Sequence, residues 1–142
     1  NSIVYVLTGD GELQEGQNWE AFMYASANNV DNIIVTVDYN GQQIDGSTKD
    51  VLDMGNLKLK LESFNWKVLE IENGNSLDDV YNTLNEAKKN SMKGKPVVIL
   101  MKTVMGNGVD FMMYSHKWHG IAPNDEQLEE ALNQNPETLG DY

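Results

Sequence analysis

An α/β fold built on a mostly parallel sheet flanked by helices is predicted by three features of this sequence. Four short segments, Ile3–Leu7, Ile33–Val37, Trp66–Ile71 and Val97–Met101, have the length and composition of strands. Segments with helical spacing separate them, and a β-α-β-α-β-α-β alternation implies parallel strands joined by right-handed crossovers. The first two strands each run into an oxygen-bearing side chain beside glycine, Gly9-Asp10-Gly11 and Asn40-Gly41. The carboxyl edge of an open α/β sheet is where such folds bind ligands.

Ile3–Leu7 is a continuous apolar run, as expected of a buried parallel strand. Gly16 to Asn28 predicts a helix, with Trp19, Phe22, Met23 and Ser26 or Ala27 at helical spacing. Asn40 to Thr48 reads as a loop rich in Gly, Asn and Asp. Leu57, Leu61 and Phe64 suggest a short helix. Ser76-Leu77-Asp78-Asp79 is a capping-type start for an amphipathic helix whose stripe is Val80, Leu84 and Ala87 or Lys88. Gly94-Lys95-Pro96 ends that connection. Met105 to Pro123 reads as a long glycine-containing loop, a length that is usually functional or disordered. Asn124-Asp125-Glu126-Gln127 caps a last helix carrying Leu128 and Leu132.

With 142 residues the chain is a single domain with room for a core. Its formal charge of −12 argues against nucleic-acid and anionic-membrane partners. All ten basic residues are lysines. Without arginine, the usual bidentate phosphate clamp, phosphate must be held by metal, by backbone N–H groups or by another polypeptide. The absence of cysteine excludes thiolate metal sites and disulfides and fits a cytoplasmic protein. No apolar run has the length of a membrane span and no signal peptide is visible. Because a strand follows Asn1 at once, the chain is expected to be a fragment of a larger domain.

Asp10 and Asn40 lie thirty residues apart, at the ends of two strands expected to be neighbours. Carboxylate and amide oxygens suit Mg²⁺ or Ca²⁺, and Mg²⁺ completes its octahedron with phosphate oxygens and water. The pair therefore reads as a metal-diphosphate site. Gly9 and Gly11 would let the backbone turn sharply and approach a ligand, and the Gly11 amide would face phosphate at the start of the next helix. The bland alternative is a helix-capping Asp in an ordinary strand-to-helix turn.

Three segments narrow the chemistry: Gly9-Asp10-Gly11-Glu12-Leu13-Gln14-Glu15-Gly16, Asp38-Tyr39-Asn40-Gly41-Gln42-Gln43-Ile44-Asp45-Gly46, and Trp118-His119-Gly120-Ile121-Ala122-Pro123-Asn124. In that order they resemble the diphosphate-binding domain of transketolases, above all the amino-terminal chain of the two-chain form, with the likeness running over nearly the whole sequence. The resemblance implies thiamine diphosphate as cofactor, with Mg²⁺ or Ca²⁺ held by Asp10, Asn40 and the Gln42 carbonyl. It implies that Gly9 and Gly11 lie against the diphosphate, that Ile44 packs on the thiazolium ring, and that His119 reaches diphosphate and substrate. Glu15 and Glu20 would lie at an interface linking two active sites. His116 has no counterpart in the motif.

The implied reaction moves a two-carbon ketol unit from a ketose phosphate to an aldose phosphate. Its implied partner is a pyrimidine-binding domain or subunit in a homo- or hetero-oligomer, which supplies the glutamate that activates the cofactor. The 142 residues alone are thus expected to be inactive. Other thiamine diphosphate enzymes, of the deoxyxylulose-phosphate synthase or 2-oxo-acid dehydrogenase type, and a non-catalytic truncated module are the alternatives. Val104-Met105-Gly106-Asn107-Gly108, Met112 to His116 and Ile121 depart from the family pattern, which bears on substrate preference more than on cofactor binding.

Overall fold

The structure is a computed structural model and describes residues 2–135. Its centre is a four-stranded, fully parallel sheet in the order β1-β2-β6-β5, with β1 Val4–Gly9, β2 Ile33–Tyr39, β5 Lys67–Ile71 and β6 Val97–Lys102. A small antiparallel hairpin, β3 Gln42–Gln43 and β4 Gly46–Ser47, stands apart from it. The helices are α1 Gly16–Ala27, α2 Thr48–Leu52, α3 Leu57–Ser63, α4 Leu77–Asn90 and α5 Asp125–Gln134, with 3-10 turns at Gly11–Gln14 and His116–His119.

Alternate residues of β6 serve two cores, as the two-residue strand period requires. Val98 and Leu100 join Val35, Val37, Leu13, Phe22, Leu57, Leu61 and Trp66 on the side of α1 and α3. Val97 and Ile99 join Ile34, Leu69, Ile71 and Ala87 on the side of α4. The Trp66 indole donates to the Phe22 carbonyl at 2.9 Å and its ring meets Phe22 edge-on, fixing α1 against β5. The Trp19 indole donates to the carbonyl of fully buried Leu13, which ties the first 3-10 turn to the same helix.

Several sequence expectations change in detail. Met23 is half-exposed, and the buried stripe of α1 is Phe22 and Ala25 with Trp19 beside them. One hundred degrees of rotation per residue carries Met23 away from the sheet. The loop expected over Asn40–Thr48 contains the β3–β4 hairpin, and α2 starts at its end, with Ser47 accepting a hydrogen bond from the Asp50 amide at 3.1 Å. The Met105–Pro123 segment is a wound turn rather than an open loop. Gly106 has φ +70°, and a Cβ there would lie 2.6 Å from the Met112 carbonyl carbon. Trp118 donates to the Phe111 carbonyl and stacks on that ring. The expected capping box of α5 is present, with Asn124 and Gln127 bonded reciprocally, but Leu128 and Leu132 are exposed.

The expectation of buried apolar side chains in the first strand fails. Val4, Tyr5, Val6 and Leu7 are exposed, Leu7 by 72%. β1 is the sheet edge, and among the described residues its one strand partner is β2.

Candidate functional site

The parallel register sets Gly9 beside Asp38 and Asp38 beside Met101, so the strands β1, β2 and β6 end level with one another. Asp10 follows β1 directly, and its amide donates to the Asp38 carbonyl at 3.1 Å. The chain then turns into the 3-10 segment that buries Leu13. A cleft of about 440 Å³ opens at this edge. Gly9, Asp10, Gly11, Asn40, Gln42, Ile44 and His119 all line it, as does Glu15. Glu20 is exposed on α1 and is not among the lining residues. His116 is likewise outside the cleft.

Asp10 is 1% exposed. Its Oδ1 accepts from its neighbour's amide, Gly11 N–H, at 2.8 Å, and its Oδ2 accepts from Gly41 N–H at 2.6 Å. Burial nevertheless raises its pKa above the ordinary carboxylate value. The two amide bonds pull the other way, and the nearby Asp38 charge adds to the rise. Thr103, just beyond β6, donates its hydroxyl to Asp38 and holds that second acid in place. Asn40 accepts from the Gln42 amide at 2.8 Å, an Asx turn that shapes the loop carrying both residues.

Two glycines are needed here for different reasons. Gly41 has φ +74°, a left-handed conformation that costs an L-residue energy, and that conformation aims its amide at Asp10. Gly11 has no such angle; a Cβ there would lie 3.1 Å from Gln43 Cβ, so close packing is its constraint. The sharp turn expected at Gly9 and Gly11 therefore does not need positive φ at either residue. The Gly11 amide is also already bonded to Asp10, and α1 does not start until Gly16. The expected phosphate-facing helix start is displaced by one 3-10 turn.

Ile44, 64% exposed, sits at the hairpin tip. A Cβ on Gly120 would lie 3.9 Å from its Cδ1, so the hairpin and the end of the His116–His119 turn meet there. That contact brings His119 to the cleft from a segment 79 residues beyond Asn40.

The cleft is lined by the carboxylates of Asp10, Glu12, Glu15 and Asp38, and His119 is its one lining residue able to carry positive charge. No trio of His, Cys, Asp or Glu side chains converges as a metal cage among the described residues. One buried carboxylate, an amide oxygen and loop carbonyls form instead a hard-oxygen set that leaves positions for phosphate and water, as Mg²⁺ prefers. A buried anion facing other anions calls for a cation, so the donor set fits a divalent metal carrying a diphosphate.

Sequence reading assigned no role to Gln14, Glu12, Asp38 or Gln43. Gln14 donates to the Thr48 and Leu52 carbonyls, both at 3.0 Å, and so ties the first motif to α2. Glu12 reaches back to the Gly9 amide at 2.7 Å. All four lay within the quoted motifs as undistinguished polar residues; their partners are set by the folded backbone.

Comparison with known proteins agrees with this geometry. An apulose-4-phosphate transketolase chain from Actinobacillus succinogenes, named as one subunit of its enzyme, is 40% identical over 131 residues, covering 92% of this chain and 46% of that protein. A 6-deoxy-6-sulfo-D-fructose transketolase subunit from a Clostridium species is 35% identical over 91% of this chain and 46% of its own length. The chain thus spans about half the length of these relatives. The crystal structure of transketolase from Campylobacter jejuni superposes with a TM-score of 0.84 at 33% identity, over 94% of this chain and 20% of that one. A family model for the thiamine diphosphate binding domain of transketolase matches residues 1–137, and the chain belongs to that family.

Proposed function

We propose that this chain anchors the metal-diphosphate end of thiamine diphosphate in a transketolase-type enzyme. The observation that carries the reading is Asp10: a buried carboxylate level with Asn40 at the carboxyl edge of a parallel sheet, beside a second acid and without a cationic partner side chain in the cleft. Asp10, Asn40 and the Gln42 carbonyl would hold Mg²⁺ or Ca²⁺. Gly11 gives close approach, and exposed Ile44 offers an apolar face to the thiazolium ring. When bound, the cofactor supplies the carbon nucleophile and the electron sink of ketol transfer. His119, at the open side of the cleft, would place the substrate and move a proton at its hydroxyl groups.

The relatives named as subunits support a second chain as partner, one that supplies the pyrimidine pocket and the activating glutamate. Glu15 and Glu20, both exposed, are the candidates for contacts across a subunit interface. The substrates would be ketose and aldose phosphates or close analogues, since the relatives' names include apulose 4-phosphate and a sulfo-sugar.

Ketol transfer from xylulose 5-phosphate to ribose 5-phosphate, assayed with the partner chain, thiamine diphosphate and Mg²⁺, tests the activity. Cofactor- and metal-dependent transfer that disappears in Asp10→Ala is the expected result. Undiminished transfer in that variant would reject Asp10 as the anchor.

A further inference from the structure

Among the described residues, Gln43 Oε1 is the buried side-chain polar atom that has no hydrogen-bond partner. It lies against Gly11: a Cβ built there would sit 3.3 Å from this oxygen. Gln43 also lines the cleft shared by Asp10 and Asn40. A buried acceptor without a donor is a cost that native structures rarely carry unrelieved. The hairpin fixes the residue, because Gln43 pairs with Gly46 in the β3–β4 ladder and Gly41 donates to Asp10 two residues upstream. The oxygen is thus kept unsatisfied beside the proposed anchor.

What could donate to it follows from ligand chemistry. A diphosphate at neutral pH presents acceptors, and so do the carboxylate, amide and carbonyl oxygens proposed to hold the cation. The donors that come with such a ligand are waters on the cation, which Mg²⁺ retains because it dehydrates reluctantly. Resting on the reading of Asp10 and Asn40 as the metal-diphosphate anchor, we propose that Gln43 is a positioning residue whose Oε1 accepts a hydrogen bond from the cation's hydration water. Gln43 would thereby select for a hydrated divalent cation over a fully dehydrated one. Groups that orient a metal's ligands commonly change its affinity by about 10- to 100-fold when removed.

The test uses the assembled holoenzyme stripped of metal, with Mn²⁺ as probe and thiamine diphosphate present, reading free Mn²⁺ by electron paramagnetic resonance. Gln43→Met keeps length and bulk but removes the acceptor. It should weaken Mn²⁺ binding about tenfold while the melting temperature of the metal-free protein stays level or rises. Gln43→Glu restores an acceptor and should bind Mn²⁺ at least as well as the native protein. Native affinity in Gln43→Met, or equal loss in both variants, would overturn the proposal. Asp10→Ala separates the two readings. If it loses Mn²⁺ while Gln43→Met keeps it, Gln43's role alone falls; if Asp10→Ala binds normally, the anchor and this inference fall together.

Discussion

The backbone amide of Gly41 donates to Oδ2 of Asp10 at 2.6 Å, across 31 residues of sequence. The acid at the end of β1 thus holds the loop at the end of β2, and Asn40 and Gln42, which flank Gly41, are placed by that bond. Any change that loosens it should disturb both proposed oxygen donors together.

Gly41→Ala tests this with little steric confusion, because a Cβ at that position meets nothing within 4 Å. The expected cost is the left-handed backbone alone, about 1–2 kcal/mol, read from denaturant melts. Metal-dependent cofactor binding should weaken in parallel. A variant as stable and as tight-binding as the native protein would show that the loop is not held in this way.

Asp10 also sets a pH dependence. Its folded pKa is raised, chiefly by burial, so the protonated form is the one the metal-free fold prefers. That stability is fully present below the ordinary Asp value of ~3.9 and is lost as pH rises through the higher folded value. Metal-free protein should therefore lose this contribution across that window, with the Asp10 carboxyl midpoint lying above the ordinary value by NMR. A saturating divalent cation prefers the ionised form and should pull the midpoint down.

His119→Ala should leave the melting temperature nearly unchanged, because the side chain belongs to an exposed residue at the cleft. Turnover in the assembled enzyme should fall roughly 10²-fold, the lower end of a proton-transfer contribution. Full activity, or loss of the fold, would remove His119 from the chemistry.

Leu13→Ala probes the support beneath the site. Leu13 is fully buried, and its carbonyl takes the Trp19 indole hydrogen bond. The cavity should cost about 2–5 kcal/mol in unfolding free energy. Cofactor affinity should fall more than in an equally destabilising change at Leu61, which is buried in the same core and is not a cleft residue.

The strands, the long helices and the Asp10–Asn40 pair were legible because each rests on local pattern: apolar runs, helical spacing, and polar ends beside glycine. α2 was legible in principle, since Ser47 stands three residues before Asp50, but the polar loop around it hid the cap. Gln14, Asp38 and Gln43 were not legible. Their roles come from Thr48, Thr103 and Gly11, partners that only the folded chain brings near. The first strand misled for the same reason. An apolar run predicts a strand able to be covered on both faces, and says nothing about whether the described chain supplies the cover.

Edge strand β1 carries a built-in stop. Val4 and Asp10 donate their amides to the Asn32 and Asp38 carbonyls of the neighbouring segment, and strand alternation turns Tyr5, Leu7 and Gly9 outward. At Gly9 the outward groups are already taken, the N–H by Glu12 at 2.7 Å and the carbonyl by the Thr8 hydroxyl at 2.8 Å. Another polypeptide could zip along Tyr5 and Leu7, but it would find no hydrogen-bonding rung left at Gly9. Sheet growth on this side therefore halts one residue short of Asp10, and the mouth of the cleft stays open however far the sheet extends.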